Sequence, residues 1–215
     1  MNALRVAHPQ ESPRRRDAFA NARDERATRS PPSRAFHLAN ATGGPATLPR
    51  LSRSLSEINA LTAVEFTRVA GGVFEHSPWI AERAAACQPF ASLDSLHAAI
   101  CEIVEAASVD EQLALIRAHP DLVGKIVLTA ESKGEQSAAG LTDLSAEEAA
   151  LFDRHNSEYK TRFGFPFIIC ARLNKKDAIL AAFPARLQNS ADTERATALA
   201  EIYKIARLRL ADLIG

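Results

Sequence analysis

No apolar run in the 215 residues reaches the ~18–20 positions needed to cross a bilayer, so no membrane association is expected. Cysteine is scarce. Cys87, Cys101 and Cys170 are odd in number, widely spaced and free of any C-x-x-C pair. That pattern argues against a disulfide framework or a structural zinc and for buried free thiols in a reducing compartment. No His-x-x-x-His occurs, and the acids near the histidines follow no ligand spacing, so no metal is expected. Glycine-rich dinucleotide and phosphate-loop signatures are missing as well. Net charge is absent: 26 basic residues cancel 26 acidic ones, which counts against a chain devoted to neutralising nucleic-acid phosphates.

What is present is an ordinary globular composition, 47% hydrophobic and 24% charged, which excludes a wholly disordered chain. The charge balance averages two unequal parts. Residues 1–56 hold ten Arg, no Lys and four acids, a net +6, together with six of the eleven Pro; residues 57–215 net −6. The opening stretch has no sustained apolar period and cannot bury enough surface to offset its ordering entropy. Residues 1–54 therefore read as a disordered Arg/Pro-rich extension, and 55–215 as one helical domain. Two readings of the extension stand: a solvated tail, and a transit peptide, against which Glu11, Asp17, Asp24 and Glu25 count. No secretory h-region exists, and the C-terminal Asp-Leu-Ile-Gly is unlike the Ser-Lys-Leu peroxisomal address, so the expected location is the cytoplasm.

From Leu55 onward the pattern is helix after helix. Thr62-Ala-Val-Glu65, Ser108-Val-Asp-Glu111 and Ser145-Ala-Glu-Glu148 have the form of capping boxes, and Ser92 opens a run with Leu93, Leu96, Ile100, Ile103 and Val104 at helical spacing. Gly71-Gly72 should stop the first of these helices and Gly164 the one begun at Ser145. A helix over Lys176–Leu187 should be bent, or confined at its start, by Pro184. The last helix should run from about Asp192 to Leu213. Only Phe165-Pro-Phe-Ile-Ile-Cys-Ala171 breaks the rule, and a buried extended segment fits it better. The expected fold is an all-α, single helical-bundle domain with that one short extended segment and a disordered N-terminal tail.

Chemistry has few places to sit. His97 and His155 lie on helix faces as packing or hydrogen-bonding residues, and His76 sits in a polar, aromatic corner that serves equally as a ligand site or as loop support. His119 precedes Pro120, which excludes it from the α region and presents its ring just past a helix end. A helix-stop histidine in solvent and a general acid or base both fit that position. If residues 131–139 are helical, Ser132, Glu135 and Gln136 share one face. That face is either solvated, or it is a carboxylate flanked by a hydroxyl and an amide that orients an imidazole and binds a polar ligand.

In series, Phe74-Glu-His-Ser-Pro-Trp79, Ile116-Arg-Ala-His-Pro-Asp-Leu122, Ser132-x-x-Glu-Gln136 with Ala139-Gly-Leu141, Tyr159 leading to Phe163-Gly-Phe-Pro-Phe-Ile168, and Lys204-Ile-Ala-Arg-Leu-Arg-Leu210 are more specific than any one alone. The chain from about Leu55 to Ile214 closely resembles the 2-oxo-4-hydroxy-4-carboxy-5-ureidoimidazoline (OHCU) decarboxylases of urate breakdown. His155, before Asn156, departs from the aliphatic residue of that pattern. The resemblance implies an all-helical homodimer, acting on a small-molecule substrate without metal or organic cofactor and converting OHCU to (S)-allantoin. It implies His119 as the catalytic histidine and Glu135 as the carboxylate paired with it. Pro120, Ser132, Lys133, Gly134 and Gln136 fall at ligand-contacting positions. So do the Phe167, Ile168, Ile169, Cys170 and Ala171 stretch, which would hold the amides, and Arg209, with Arg207 two residues away as the alternative. Loss of CO2 beside a carbonyl or imine leaves charge that the ring itself delocalises, so no thiamine or pyridoxal electron sink is required. The rivals are a non-catalytic helical interaction module and a nucleic-acid binder using the Arg-rich tail.

Overall fold

The computed structural model describes residues 52–124 and 128–215. The disorder expected of the extension therefore lies outside the described residues except at its last positions, and there the expectation needs correcting. The Arg53 N–H donates to the Leu213 carbonyl (2.9 Å) and the Arg53 carbonyl accepts from Gly215 N–H (3.2 Å), forming an isolated parallel bridge with Ile214. Ser54 caps the next helix. The body thus begins a few residues before Leu55, because its first segment closes against its last.

Among the described residues nine α-helices follow and no sheet forms: α1 Leu55–Asn59, α2 Ala63–Ala70, α3 Trp79–Ala84, α4 Leu93–Glu105, α5 Val109–Arg117, α6 Ala130–Ala138, α7 Ala146–Phe163, α8 Lys176–Arg186 and α9 Ala191–Leu213. Capping sets most of the starts. Ser54, Thr62, Ser92, Ser108 and Ser145 each accept from the backbone three residues on, and the side chain there answers the cap's own N–H. Each such cap is worth ~1 kcal/mol. Gly164 ends α7 at φ +74°, where a side chain would be strained. Pro184 lies in the last turn of α8 and so does not confine its start. Its missing N–H forfeits one hydrogen bond, and the helix stops before losing more. Two short helices, α1 and α3, were not expected; the Phe74–Trp79 corner runs straight into α3.

The long α9 is the axis. It packs against α4 and α5, burying Ala198, Leu199, Ile202, Ile205, Ala206 and Leu210 at three- and four-residue steps. Cys170 is buried and Cys101 half-buried, whereas Cys87 is exposed, which corrects the expectation that the thiols are buried. His97 hydrogen-bonds the Tyr203 carbonyl (2.9 Å) and His155 stacks on Phe183 with centroids 5.0 Å apart, both as packing residues.

Phe165–Cys170 runs through the interior without helical bonding and is buried along most of its length. A second set of interior charges holds it there. Arg186 donates to the Ile168 carbonyl, lies 4.3 Å from the Phe167 ring centroid, and donates through Nε to Glu194 (2.7 Å). Glu194 is completely buried and also accepts from Asn189 (2.6 Å) and the Tyr159 hydroxyl. Removing one member of such a pair strands the other without water. Glu194→Ala should therefore lose roughly 3–5 kcal/mol in urea denaturation, and a loss below about 1 kcal/mol, the level of an exposed ion pair, would show that the network is not needed.

Candidate active site

Two loops and one helix meet beside α9. The first is the turn after α5. Pro120 stops the helix and the His119 ring folds back, Nδ1 donating to the Leu115 carbonyl (2.9 Å). A carbonyl only accepts, so this bond places the proton on Nδ1 and leaves Nε2 as a free lone pair in the neutral ring. Val123, a β-branched residue at φ +59°, makes this turn costly. Three side chains hold it. Gln136 accepts from the Val123 N–H (3.0 Å) and donates to the Asp121 carbonyl (3.3 Å), Asn156 donates to the Leu122 carbonyl (2.7 Å), and Lys160 pairs with Asp121 (2.7 Å).

The second component is α6. It is helical over most of 131–139, and Ser132, Glu135 and Gln136 do share its inward face, with Ser132 and Gln136 buried. Thr129 caps it. The third is the corner after α2, which delivers Glu75 to the interior, its side chain 2% exposed. Arg209 of α9 ties them together. Its Nε and Nη2 grip both oxygens of Glu135 (2.8 and 2.7 Å), Nη2 also reaches Glu75 (3.0 Å), and Nη1 donates to the Val73 carbonyl (3.3 Å). Glu75 further accepts from Ser132 and from Thr129 (3.2 Å).

This arrangement changes one expected contact. Among the described residues no hydrogen bond joins Glu135 to His119; the carboxylate is spent on Arg209. A bidentate guanidinium–carboxylate pair is stronger than any bond a neutral ring offers, and the one ring proton of His119 already serves Leu115. The carboxylate charge that most supports the imidazole is Glu75. Burial lowers the His119 pKa to about 4, partly offset by the Leu115 hydrogen bond and by Glu75. Burial alone would raise the Glu75 carboxyl, but the Ser132 hydroxyl and Arg209 more than reverse it and hold it below the usual carboxylate range.

A chamber of about 40 Å³ lies between these groups, lined by ten of the expected residues: His119, Pro120, Ser132, Glu135, Gln136, Phe167, Ile168, Ile169, Ala171 and Arg209, with Leu122 and Ile205 in addition. Among the described residues the N–H groups of Phe167, Ile168 and Ile169 have no protein partner, so they can serve a ligand, while the Ile168 carbonyl is taken by Arg186. Three expected contacts are not brought to the chamber. Lys133 and Gly134 are exposed on other faces of α6. Cys170 lies behind the wall, its N–H bonded to Glu201 (2.8 Å). Of the two arginines only Arg209 lines the chamber: Arg207 is half-exposed and pairs with Asp94 (2.7 Å), while Arg209 is buried. Glu75 is the residue that sequence reasoning missed. Its only signal was a carboxylate between apolar Phe74 and a Ser-Pro turn.

No group of three or more His, Cys, Asp or Glu among the described residues is arranged to hold a metal, and none of their helices is long and apolar enough to cross a membrane. What the helices enclose is a buried imidazole that is neutral at pH 7, beside a guanidinium shared by two carboxylates. A family model for OHCU decarboxylase matches residues 59–211. The 2-oxo-4-hydroxy-4-carboxy-5-ureidoimidazoline decarboxylase of Haloferax volcanii is 44% identical over 159 residues, covering 74% of this chain and 95% of that protein. The uric acid degradation bifunctional protein of Bacillus subtilis is also 44% identical, over 75% of this chain and 33% of its own length. A crystal structure of OHCU decarboxylase in the presence of (S)-allantoin aligns with a TM-score of 0.56 at 27% identity, covering 69% of this chain and 96% of that one. The chain belongs to the OHCU decarboxylase family.

Proposed function

We propose that this chamber decarboxylates OHCU to (S)-allantoin in urate degradation, with His119 managing the proton. The observation that carries the reading is the neutral His119 ring, its Nε2 lone pair left free beside a guanidinium that binds two carboxylates. The reaction exchanges a carboxylate for a proton: the C–C bond breaks, CO2 leaves, the electron pair passes into the ring, and one proton must then reach carbon. At rest His119 accepts rather than donates. Glu75, Glu135 and Arg209 together carry a net −1, so an anionic substrate makes proton uptake at Nε2 more favourable, and the imidazolium can then deliver that proton. Arg209 orients the carboxylate and the Phe167–Ile169 N–H groups hold the urea-like carbonyls. We assign catalysis to His119 and Glu135, binding to Arg209, Pro120, Ser132, Gln136, Phe167, Ile168, Ile169 and Ala171, and the catalytic domain to residues 53–215. A cytoplasmic homodimer accords with the family resemblance.

OHCU generated in situ by urate oxidase and hydroxyisourate hydrolase provides the test. The protein should accelerate decay and give (S)-allantoin by circular dichroism; racemic allantoin at the spontaneous rate would leave only the non-catalytic interaction module.

A further inference from the structure

On the adjoining face of α6 lies an open cleft of about 620 Å³. The two spaces share Arg209 and Glu135 as lining residues, so this ion pair is the wall between them. The size difference matters. About 40 Å³ is far below the ~300–1,000 Å³ of a ligand pocket, whereas the outer cleft falls within that range. A substrate with a five-membered ring, a carboxylate and a ureido arm can be received outside before the chamber widens to take it.

The cleft walls carry four arginines: Arg53, Arg68, Arg172 and Arg209. Two are already neutralised, Arg172 by both oxygens of Asp212 (2.5 and 3.2 Å) and Arg209 by Glu135. Glu131 stands on the same wall. Arg53 and Arg68 make no direct ion pair among the described residues; the acids whose charge they feel, Glu57 and Glu65, are committed to the caps at Ser54 and Thr62. The Arg53 backbone is anchored by bonds to Leu213 and Gly215, which places its side chain at the rim of the cleft. Positive charge in a concave site focuses the field and raises the local concentration of anions.

We propose that this cleft is the substrate's vestibule, and that Arg53 and Arg68 bind its carboxylate before that group takes the place of Glu135 on Arg209. The ligand class is a small, planar, urea-bearing carboxylate. Handover exchanges one carboxylate for another on the same guanidinium, so the buried charge on Arg209 is never uncovered. It also frees Glu135 to turn from Arg209 toward His119, which reconciles the expected pairing with the one observed. The proposal rests on the reading of the chamber as the decarboxylation site.

Steady-state kinetics on freshly generated OHCU, at low and high ionic strength, separates the two. Wild-type turnover reports on the decarboxylase reading alone. Arg53→Gln/Arg68→Gln should raise KM on the order of tenfold at low salt with kcat little changed, and should flatten the salt dependence of kcat/KM. Arg68→Glu, on an exposed face of α2 where folding is not at stake, should raise KM further. Arg154→Gln, an exposed arginine of α7 outside both spaces, is the control. KM and salt slope left at wild-type values in both cleft variants, or shifted equally by Arg154→Gln, would overturn the vestibule even if the wild type makes (S)-allantoin.

Discussion

Arg209→Met is expected to be both inactive and severely destabilised. The side chains of Arg209 and Glu75 are 6% and 2% exposed, and Glu135 is only 13% exposed. Removing the guanidinium leaves Glu75 with only Ser132 and Thr129 as donors and Glu135 with none among the described residues. Losing one partner of a buried pair typically costs ~3–5 kcal/mol, and here two acids lose the same cation. Urea denaturation should show that loss at pH 7. The sign with pH follows from the charge. In the wild type Glu75 titrates below its ordinary range, so its contribution is present above the unfolded-state pKa and declines as pH falls. In the variant that carboxyl is raised instead, so the damage is greatest at neutral pH and shrinks as acid protonates it. Arg209→Met/Glu75→Gln/Glu135→Gln, which removes the charges together, should recover much of the stability and none of the activity. Wild-type stability in the single variant would mean that the carboxylates do not depend on Arg209.

The difference between what was legible and what was not follows the range of the interactions. Capping boxes at Thr62, Ser108 and Ser145 are complete within four residues, so the sequence alone places those helix starts. Ser54-x-x-Glu57 carries the same signal, but it is embedded in an Arg- and Ser-rich context that reads as tail. Helix α3 is six residues long, too short for a period, and its first residue follows Pro78. His119 was identifiable because Pro120 constrains it locally. Its tautomer was not, because that depends on a carbonyl four residues back in a helix not yet built. Glu75 and Glu135 show the limit most clearly. Both were in quoted motifs, yet what each carboxylate does is decided by an arginine more than seventy positions away. The family resemblance paired Glu135 with the imidazole; the folded chain gives it to the guanidinium. Lys133, Gly134 and Cys170 were assigned with their neighbours in sequence, and helical rotation or the turn at Ala171 carried them away from the chamber.

His119→Gln should lower kcat for OHCU decarboxylation by ~10²–10⁴-fold, the usual worth of a positioned acid or base, while the helical CD spectrum is unchanged. The amide can still donate to the Leu115 carbonyl, so the turn keeps its anchor and only the titrating nitrogen is lost. The wild-type pH profile tests the same residue from another side. With a pKa of about 4 in the free enzyme, His119 holds its lone pair across the neutral range. The limb of kcat/KM that depends on it should therefore appear only in acid, near that value, instead of near the ~6.5 of an ordinary histidine. Stability gives a third readout with a fixed sign. The unfolded chain takes up a proton at this residue near pH 6.5 and the folded chain resists until about 4. The His119 contribution is thus complete above the unfolded pKa and lost as pH falls toward the folded one. Denaturation midpoints of the wild type should drop between these pH values by more than those of His119→Gln, most cleanly in the upper half of the window before carboxylates titrate. Equal slopes in the two proteins would place the ring in contact with water, and a kinetic limb near neutrality would mean that the resting enzyme already carries the proton it needs to deliver.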